Sequence, residues 1–373
     1  MKLTVAVQLQ PTPEQANALR STLEQANAAC NEISKAAWTN RTFGQFKLHK
    51  LVYGPIRASS GLSAQVVVRC LAKVADAYKL DRKRRRTFKP HGSIAFDDRI
   101  LRWYVDRSEV SVWTVAGRQR IPFVCSERAR EVLKFRQGES DLVLRDDRWY
   151  LFATVNVEEP PPGEPWQWLG VDLGIVNIAT DSDGTVYSGA QVNGLRRRHR
   201  KLRQRLQSKG TRSAKRLLRK RRRKERRFAT DLNHTISKRL VAVAKGTGRG
   251  IALEDLQGIH DRLTVRKPQR ATLRSWSFFQ LRQFVSYKAR LAGVAVVFVD
   301  PRNSSRTCPR CGLIDKRNRP SQAQFSCVSC GLAGLADHIA ALNIQGRASV
   351  NAPDAAGCSG GPERAPLAAS PRL

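Results

Sequence analysis

The sequence predicts a multidomain α+β protein: a small N-terminal β-domain opened by a helical insertion, then a second α/β domain that carries a zinc ribbon. Three observations predict it. Strand-like alternation at 3–9 and within 94–157 encloses a stretch with helical periodicity. A proline-rich segment at 158–165 separates two halves. Four of the eight cysteines are bunched between 308 and 330. The 373 residues are enough for two or three domains.

The net charge of the chain indicates what kind of molecule it binds. The chain has 67 Lys and Arg against 31 Asp and Glu, a formal charge of +36, which indicates a polyanion such as nucleic acid. No apolar run reaches the roughly 18 residues that a membrane span needs, and the first residues alternate instead of forming a signal peptide. We expect a cytoplasmic protein that associates with the nucleoid.

The N-terminal half begins with a period-2 pattern in which Leu3, Val5, Val7 and Leu9 share one side. The run 12–15 (TPEQ) has a helix N-cap, a proline at the first helical position and a capping-box glutamine. A second helical stretch at about 62–80 leads into a basic tract that ends in Arg84, Arg85 and Arg86. This tract is interpreted as a nucleic-acid contact or as a solvated helix end. We expect a β-domain at 1–11 and 91–157, a helical insertion at 12–90 and a linker at 158–165.

A second domain is expected from Trp166 to Asn303. Between Leu195 and Arg227 it has 19 Lys and Arg and a single acid, Glu225. Apolar spacing predicts two cationic helices within 195–245, interrupted near 209–211, although a disordered basic segment is the alternative. Such a density of cations binds phosphates by displacing counterions. The predicted nucleic-acid contacts are Arg196, Arg197, Arg200, Arg203, Arg219, Arg222, Arg223 and Arg226.

The bunched cysteines follow the pattern Cys308-x2-Cys311, fifteen residues, Cys327-x2-Cys330. This spacing is typical of a four-thiolate zinc site formed by two knuckles, and such a closed site has a structural role. An iron centre or a redox pair is the alternative. The scattered Cys30, Cys70, Cys125 and Cys358 are interpreted as free thiols. We expect the ribbon at 304–333, a final domain segment at 334–346 and a disordered tail at 347–373.

Three acids stand out in this basic chain. Asp172 lies in the apolar run LGVDLGIVN and Glu254 in IALEDL, and a buried acid is costly unless it is paired or binds a metal. Asp337 heads the helical run LADHIAALNI. Together they suit a two-metal Mg²⁺ site for phosphodiester chemistry. The alternatives are that Asp172 is a turn residue, that Asp255 replaces Glu254, and that Asp337 is a helix N-cap.

With these motifs in this order, the sequence resembles the TnpB family of transposon-encoded RNA-guided nucleases, relatives of type V CRISPR effectors. The resemblance spans most of 1–345 and includes GVDLGIVNIATDSDG, DLNHTISK, IALEDLQGI, VDPRNSSRTCPRCG and ADHIAALNI. It departs at Ile339, where relatives often have Asn, and at Ser304-Ser305, where Thr-Ser is common.

The resemblance implies a β-barrel-like wedge domain with a helical recognition insertion, followed by a split RuvC-like domain of RNase H fold in which the three acids are catalytic. It further implies a guide RNA from the protein's own element and a double-stranded target DNA beside a short adjacent motif, with sequence choice by base pairing. A strand-joining transposase, a nuclease-inactive RNA-guided binder and a plain RNA-binding zinc-ribbon protein are the alternatives.

Overall fold

The computed structural model describes residues 1–256 and 278–350, in two compact units divided between Glu158 and Glu159. The first unit is a seven-stranded sheet with helices, and the second is a five-stranded sheet with helices and a small hairpin. The chain is thus a multidomain α+β protein, as the sequence predicts. No helix of these residues is long and apolar enough to cross a bilayer.

The sheet of the first unit is antiparallel throughout, in the order β2-β6-β7-β1-β5-β4-β3. The strands are β1 (Lys2–Leu9), β2 (Ile94–Phe96), β3 (Leu101–Tyr104), β4 (Glu109–Thr114), β5 (Gly117–Val124), β6 (Arg136–Arg145) and β7 (Arg148–Asn156). β1 lies at the centre, so the start of the chain and 94–156 form one sheet. The turn between β6 and β7 has positive φ at Asp146 and Asp147, the geometry of a two-residue hairpin.

The helices of the first unit are α1 (Pro13–Thr39), α2 (Gln45–Ser59), α3 (Ala64–Leu80) and the short α4 (Glu127–Leu133). α1 begins with the predicted capping box: Thr12 Oγ1 accepts from the Gln15 backbone N–H, and Gln15 Oε1 accepts from that of Thr12. The apolar stripes of α1 and α3 join the sheet in one core. α2 was not predicted from the sequence, because only its Leu48 and Ile56 are buried.

The second unit has a mixed sheet in the order β10-β9-β8-β11-β12. Its strands are β8 (Trp168–Asp172), β9 (Asn177–Asp181), β10 (Val186–Ser188), β11 (Gly250–Glu254) and β12 (Val296–Val299). β8, β11 and β12 are parallel, whereas β9 and β10 run antiparallel. The helices are α5 (Ala190–Lys209), α6 (Arg212–Gly246), α7 (Phe278–Ala292) and α8 (Ala336–Val350).

Helices cover both faces of this sheet. Leu169, Val171, Ile251 and Leu253 belong to the core that contains side chains of α6 and α7. The opposite face joins side chains of α8 in a second cluster of buried residues: Trp168, Ala252, Val299, Ile344 and Ala348. Side chains alternate along a strand. Asp172 and Glu254 therefore lie on the same face of the sheet as Trp168 and Ala252, which is the face that α8 covers.

The two basic helices break where the sequence predicts. α5 ends at Lys209, Gly210 adopts a left-handed φ of 62°, and Thr211 caps α6 by accepting from Ala214 N at 3.2 Å. The break reverses the chain, so α5 packs against α6. Both segments are ordered helices, not a disordered basic segment.

The ribbon contains a 3₁₀ turn (Lys316–Asn318) and the hairpin β13 (Gln324–Ser326) and β14 (Ala333–Leu335). β14 continues two residues past the predicted end of the ribbon at 333. α8 extends to Val350, so residues 347–350 are helical and not part of a tail, because Ala348 packs against the sheet. The rest of the predicted tail, 351–373 with Cys358, lies outside the described residues.

Candidate active site

Asp172 and Glu254 end two neighbouring parallel strands, β8 and β11. Val171 is the register partner of Leu253, so the next residue of each strand brings the two acids side by side. Parallel strands bring their carboxyl ends to one edge of a sheet, which is where ligands bind in folds of this kind. The sheet thus unites two acids that are far apart in sequence.

The third acid, Asp337, lies on α8, which packs closely against β8. A Cβ added at Gly170 would lie 2.1 Å from the carbonyl oxygen of Ala341 and 2.7 Å from the backbone nitrogen of Gln345, so only glycine fits where α8 crosses β8. Asp337 lies one helical turn before Ala341, as the second residue of α8. It is therefore inside the helix and is not its N-cap.

Burial and mutual repulsion perturb these carboxyl groups. Burial raises the pKa of Asp172 well above its ordinary value, and the charges of Glu254 and Asp337 raise it further. Glu254 is only 6% exposed, and burial raises its pKa to about 7, opposed by a hydrogen bond from Ser304 and by Arg347. Acids perturbed by burial and like charge are typical of functional sites, and a cation would relieve the repulsion.

Asp337 is held from two sides. Asn177, at the start of β9, donates from Nδ2 to Asp337 Oδ2 at 2.9 Å. Arg319 of the ribbon brings Nη2 to 4.0 Å from Oδ1 of the same carboxylate, and its charge opposes the rise in the pKa of Asp172. The ribbon thus contributes a positive charge to the acid site.

The structure distinguishes Glu254 from its neighbour. Asp255 forms an ion pair of 2.7 Å with Arg282 of α7, and its side chain is 44% exposed. Glu254 is buried and accepts a hydrogen bond of 2.7 Å from Ser304 Oγ at Oε1. Glu254, not Asp255, therefore shares the site with Asp172.

The chemistry of the donors suits hard divalent cations, since all three acids offer the oxygen ligands that Mg²⁺ takes. Among residues 1–256 and 278–350, only the four cysteines form a group of three or more potential ligands whose atoms all lie within 4.8 Å of one another. Asp172, Glu254 and Asp337 do not form such a group, so at least two of their ligand oxygens lie more than 4.8 Å apart.

The four cysteines form a site that could hold a metal ion. The Sγ atoms of Cys308 and Cys330 are 3.5 Å apart, and those of Cys311 and Cys327 are 3.6 Å apart. A tetrahedral zinc ion with Zn–S bonds of about 2.3 Å requires sulfurs roughly 3.8 Å apart. Gly312 and Gly331, with φ of 77° and 70°, follow the two cysteine pairs and turn the two knuckles.

The eleven arginines predicted to contact nucleic acid fall into two groups. Nine are exposed: Arg84, Arg85, Arg197, Arg200, Arg203, Arg219, Arg222, Arg223 and Arg226. Arg86 and Arg196 are half-buried, and burial lowers the pKa of Arg196. Ion pairs within the protein join Arg84 and Arg86 to Asp81 and Arg203 to Glu225. Glu225, the single acid of the basic segment, also contacts His199 Nδ1 at 2.6 Å and so joins α5 to α6.

Sequence reasoning missed Asn177, Ser304 and Arg319, which contact the acids, and Asn343, which donates to the backbone carbonyl of Ser304. Each makes tertiary contacts. Asn177, Ser304 and Asn343 lie within motifs already singled out, whereas Arg319 lies between the two cysteine pairs. Ile339, a departure from the family pattern, is buried with Cys308 and Phe325. Its apolar side chain therefore packs α8 against the ribbon.

Two family models match the chain. The family described as "Probable transposase" matches residues 152–257, and "Cas12f1-like, TNB domain" matches residues 278–344. The first range contains Asp172 and Glu254, and the second contains Asp337 and all four bunched cysteines. The solved structure described as "Cryo-EM structure of the Cas12f1-sgRNA-target DNA complex" has the same fold, with a TM-score of 0.59 and 14% identity, covering 90% of this chain and 83% of that one.

Three curated relatives are similar in sequence. The CRISPR-associated endodeoxyribonuclease Cas12f1 of Sulfoacidibacillus thermotolerans is 33% identical over 56% of this chain and 53% of its own length. The "Putative RNA-guided DNA endonuclease InsQ" of Escherichia coli is 30% identical over 53% of each. The chain thus spans about half the length of these two. The TnpB-like protein MJ0751 of Methanocaldococcus jannaschii is 31% identical, with 67% of its length covered, and on this match the chain belongs to the TnpB family.

Proposed function

We propose that this protein is an RNA-guided DNA endonuclease encoded by a transposable element. The observation that carries the proposal is the edge of the second sheet, where Asp172 and Glu254 end adjacent parallel strands and Asp337 lies in the first turn of the helix packed on them. The names of two relatives, an endodeoxyribonuclease and an RNA-guided DNA endonuclease, support the reaction and the guide.

The proposed catalytic domain is a RuvC-like domain of RNase H fold, assembled from 166–303 and 334–346, with the ribbon at 304–333 inserted between them. Its mixed sheet, with β8 between antiparallel β9 and parallel β11, supports this assignment. The proposed wedge domain is 1–11 with 91–157, and the helical insertion 12–90 would grip the RNA and its heteroduplex with DNA.

Asp172, Glu254 and Asp337 would hold two Mg²⁺ ions. Bound Mg²⁺ supplies an activated water and stabilises the leaving oxygen of the phosphodiester. The chain's own part is to hold the three carboxyl groups in position at one edge of the sheet. Asn177 holds one oxygen of Asp337, and the Arg319 guanidinium beside it can stabilise the negative charge of a scissile phosphate.

The four cysteines would hold Zn²⁺ in a structural role, because four thiolates leave no open position for chemistry. The exposed arginines of α5 and α6 would contact phosphates of the guide RNA and the target DNA. Sequence choice would come from base pairing, apart from a short adjacent DNA motif.

The test is cleavage by the protein purified with the RNA of its own element. Linear DNA with a matched target beside candidate adjacent motifs is incubated with Mg²⁺, and cut products are mapped. We expect cleavage that needs the RNA, the match and Mg²⁺, and that Asp172→Ala abolishes. The matched control is Asp183→Ala, an acid paired with Arg249. No cleavage beside any motif, or full activity of Asp172→Ala, refutes the proposal.

A second candidate function is strand joining, because the match to a family described as a transposase favours it. The same carboxylates could activate a 3′-hydroxyl in place of water. The cleavage assay separates the two reactions when products are also sequenced for new junctions. Joined strands dependent on Asp172 would favour the transposase, whereas free ends alone favour the endonuclease.

A further inference from the structure

Among the side chains of the described residues, only that of Ser304 donates a hydrogen bond to Glu254. Its Oγ donates to Glu254 Oε1 at 2.7 Å, and the two side chains are buried, with 5% and 6% exposure. In the described part of the chain, Oε2 accepts no comparable hydrogen bond. A fixed donor on one oxygen selects one orientation of the carboxylate and leaves the other oxygen for a ligand.

A tight turn between β12 and the ribbon brings Ser304 to this place. Asn303 adopts a left-handed φ of 59°, a conformation that asparagine tolerates better than most residues. The backbone N–H of Ser304 donates to Pro301 O at 3.3 Å, and that of Thr307 donates to Asn303 O at 3.0 Å. The turn therefore closes on itself immediately before the first knuckle cysteine.

α8 holds this turn from a single helical face. Asn343 Nδ2 donates to the carbonyl oxygens of both Ser304 and Thr307 at 2.7 Å. Arg347, one helical turn later, donates from Nη1 to Asp300 O at 2.6 Å. The helix that carries Asp337 thus also fixes the segment that carries Ser304 and leads directly to Cys308.

We propose that Ser304 is the positioning residue of Glu254, and that Asn343 couples this position to the cysteine ribbon. The acid site and the ribbon then behave as one structural unit: loosening the turn misorients Glu254 although no acid is changed. This inference deepens the proposed function and rests on its metal-binding part. Loss of a hydrogen bond to a metal-binding carboxylate typically costs about 10–100-fold in metal affinity or activity.

The test measures Mn²⁺ binding to the full-length, zinc-loaded protein without nucleic acid, by electron paramagnetic resonance. We expect Ser304→Ala to weaken Mn²⁺ binding about 10–100-fold, and Ser304→Thr, which retains the hydroxyl, to stay within about threefold of wild type. Ser305→Ala, the neighbouring half-buried serine, is the matched control and should bind as wild type does. Zinc content and thermal unfolding verify that each variant is folded.

Asn343→Ala tests the coupling, because its amide donates to backbone carbonyls and not to a carboxylate. We expect weaker Mn²⁺ binding and faster loss of zinc to a chelator. In cleavage assays, Ser304→Ala should lower kcat with little change in KM for DNA. Wild-type Mn²⁺ affinity in folded Ser304→Ala overturns the positioning role, and wild-type affinity in Asn343→Ala overturns the coupling. If Mn²⁺ binding depends on Ser304 but the wild-type protein never cuts DNA, the proposed reaction is refuted and the positioning role of Ser304 stands.

Discussion

Asn177 and Asp337, 160 positions apart, are joined by a hydrogen bond of 2.9 Å from the amide Nδ2 to the carboxylate Oδ2. Asn177 begins β9, the strand that follows Asp172, and Asp337 is the second residue of α8. The bond therefore joins Asp337, on α8, to the strand that pairs with the one carrying Asp172. It leaves Oδ1 facing Arg319 at 4.0 Å, so each oxygen of Asp337 has a different neighbour.

Replacing Asn177 with alanine should slow DNA cleavage about 10–100-fold, because Asp337 loses the donor that orients it. The measurement is the single-turnover rate with saturating guide RNA, target and Mg²⁺. Asn40→Ala, which alters an amide at the end of α1, is the control and should cleave normally. A rate equal to that of wild type would show that Asp337 is oriented by other contacts.

Asp172→Asn should abolish cleavage and yet stabilise the Mg²⁺-free protein. Its burial and its repulsion by Glu254 and Asp337 make the charged form costly, and an amide removes that charge. Urea unfolding without Mg²⁺, with zinc retained, measures the change. Asp183→Asn gives the opposite sign, since it removes the paired partner of Arg249. A destabilised Asp172→Asn protein contradicts the electrostatic account.

The stability of the Mg²⁺-free protein should fall as pH rises between about 4.5 and 7. Glu254 has a folded pKa of about 7 against an ordinary 4.5, so in this window the folded state holds a proton that the unfolded state has released. By linkage, the free energy of unfolding then falls with pH, by roughly 3 kcal/mol over the window. Urea titrations across this range test it, and Glu254→Gln should reduce the dependence, leaving the part that comes from the raised pKa of Asp172.

The sequence predicted much of this site, for a physical reason. An acid in an apolar strand is conspicuous at Asp172 and Glu254 because burial of a charge demands a role. Asp337 was conspicuous only beside the cysteine pattern and the family motif, since an acid in the first turn of a helix is common. Two Cys-x2-Cys pairs are likewise conspicuous, because their spacing in the sequence is typical of a four-thiolate metal site.

The contacts around the acids could not be predicted in this way. Asn177, Ser304 and Arg319 are ordinary polar residues in sequence, and their roles depend on which segments the fold brings together. α2 was missed for a related reason, since helical periodicity is visible only where a helix buries a continuous stripe. Local patterns predict elements, whereas the partners of a side chain depend on tertiary packing.

Arg319→Ala should slow cleavage at least tenfold at saturating Mg²⁺. Its guanidinium is the cation that the ribbon holds beside Asp337, 29% exposed, and a positive charge there stabilises charge that develops on the phosphate. Arg317→Ala is a close control, because this neighbour is 76% exposed and pairs with Asp315. Equal rates for the two variants would assign Arg319 a role in packing only.

Nucleic-acid binding should weaken with salt in proportion to the number of arginines that neutralise phosphates. Replacing Arg197 and Arg222, both exposed on the basic helices, with glutamine should reduce the slope of log affinity against log salt by about 1.5, or about 0.7–0.9 for each phosphate that is no longer neutralised. Filter binding of the guide RNA and of matched DNA from low to high salt gives the slope.

The control with the same net charge replaces Arg128 and Arg130 of α4 with glutamine. If both double variants reduce the slope equally, binding depends on overall charge and not on α5 and α6. A reduced slope for the first alone assigns the phosphate contacts to the basic helices.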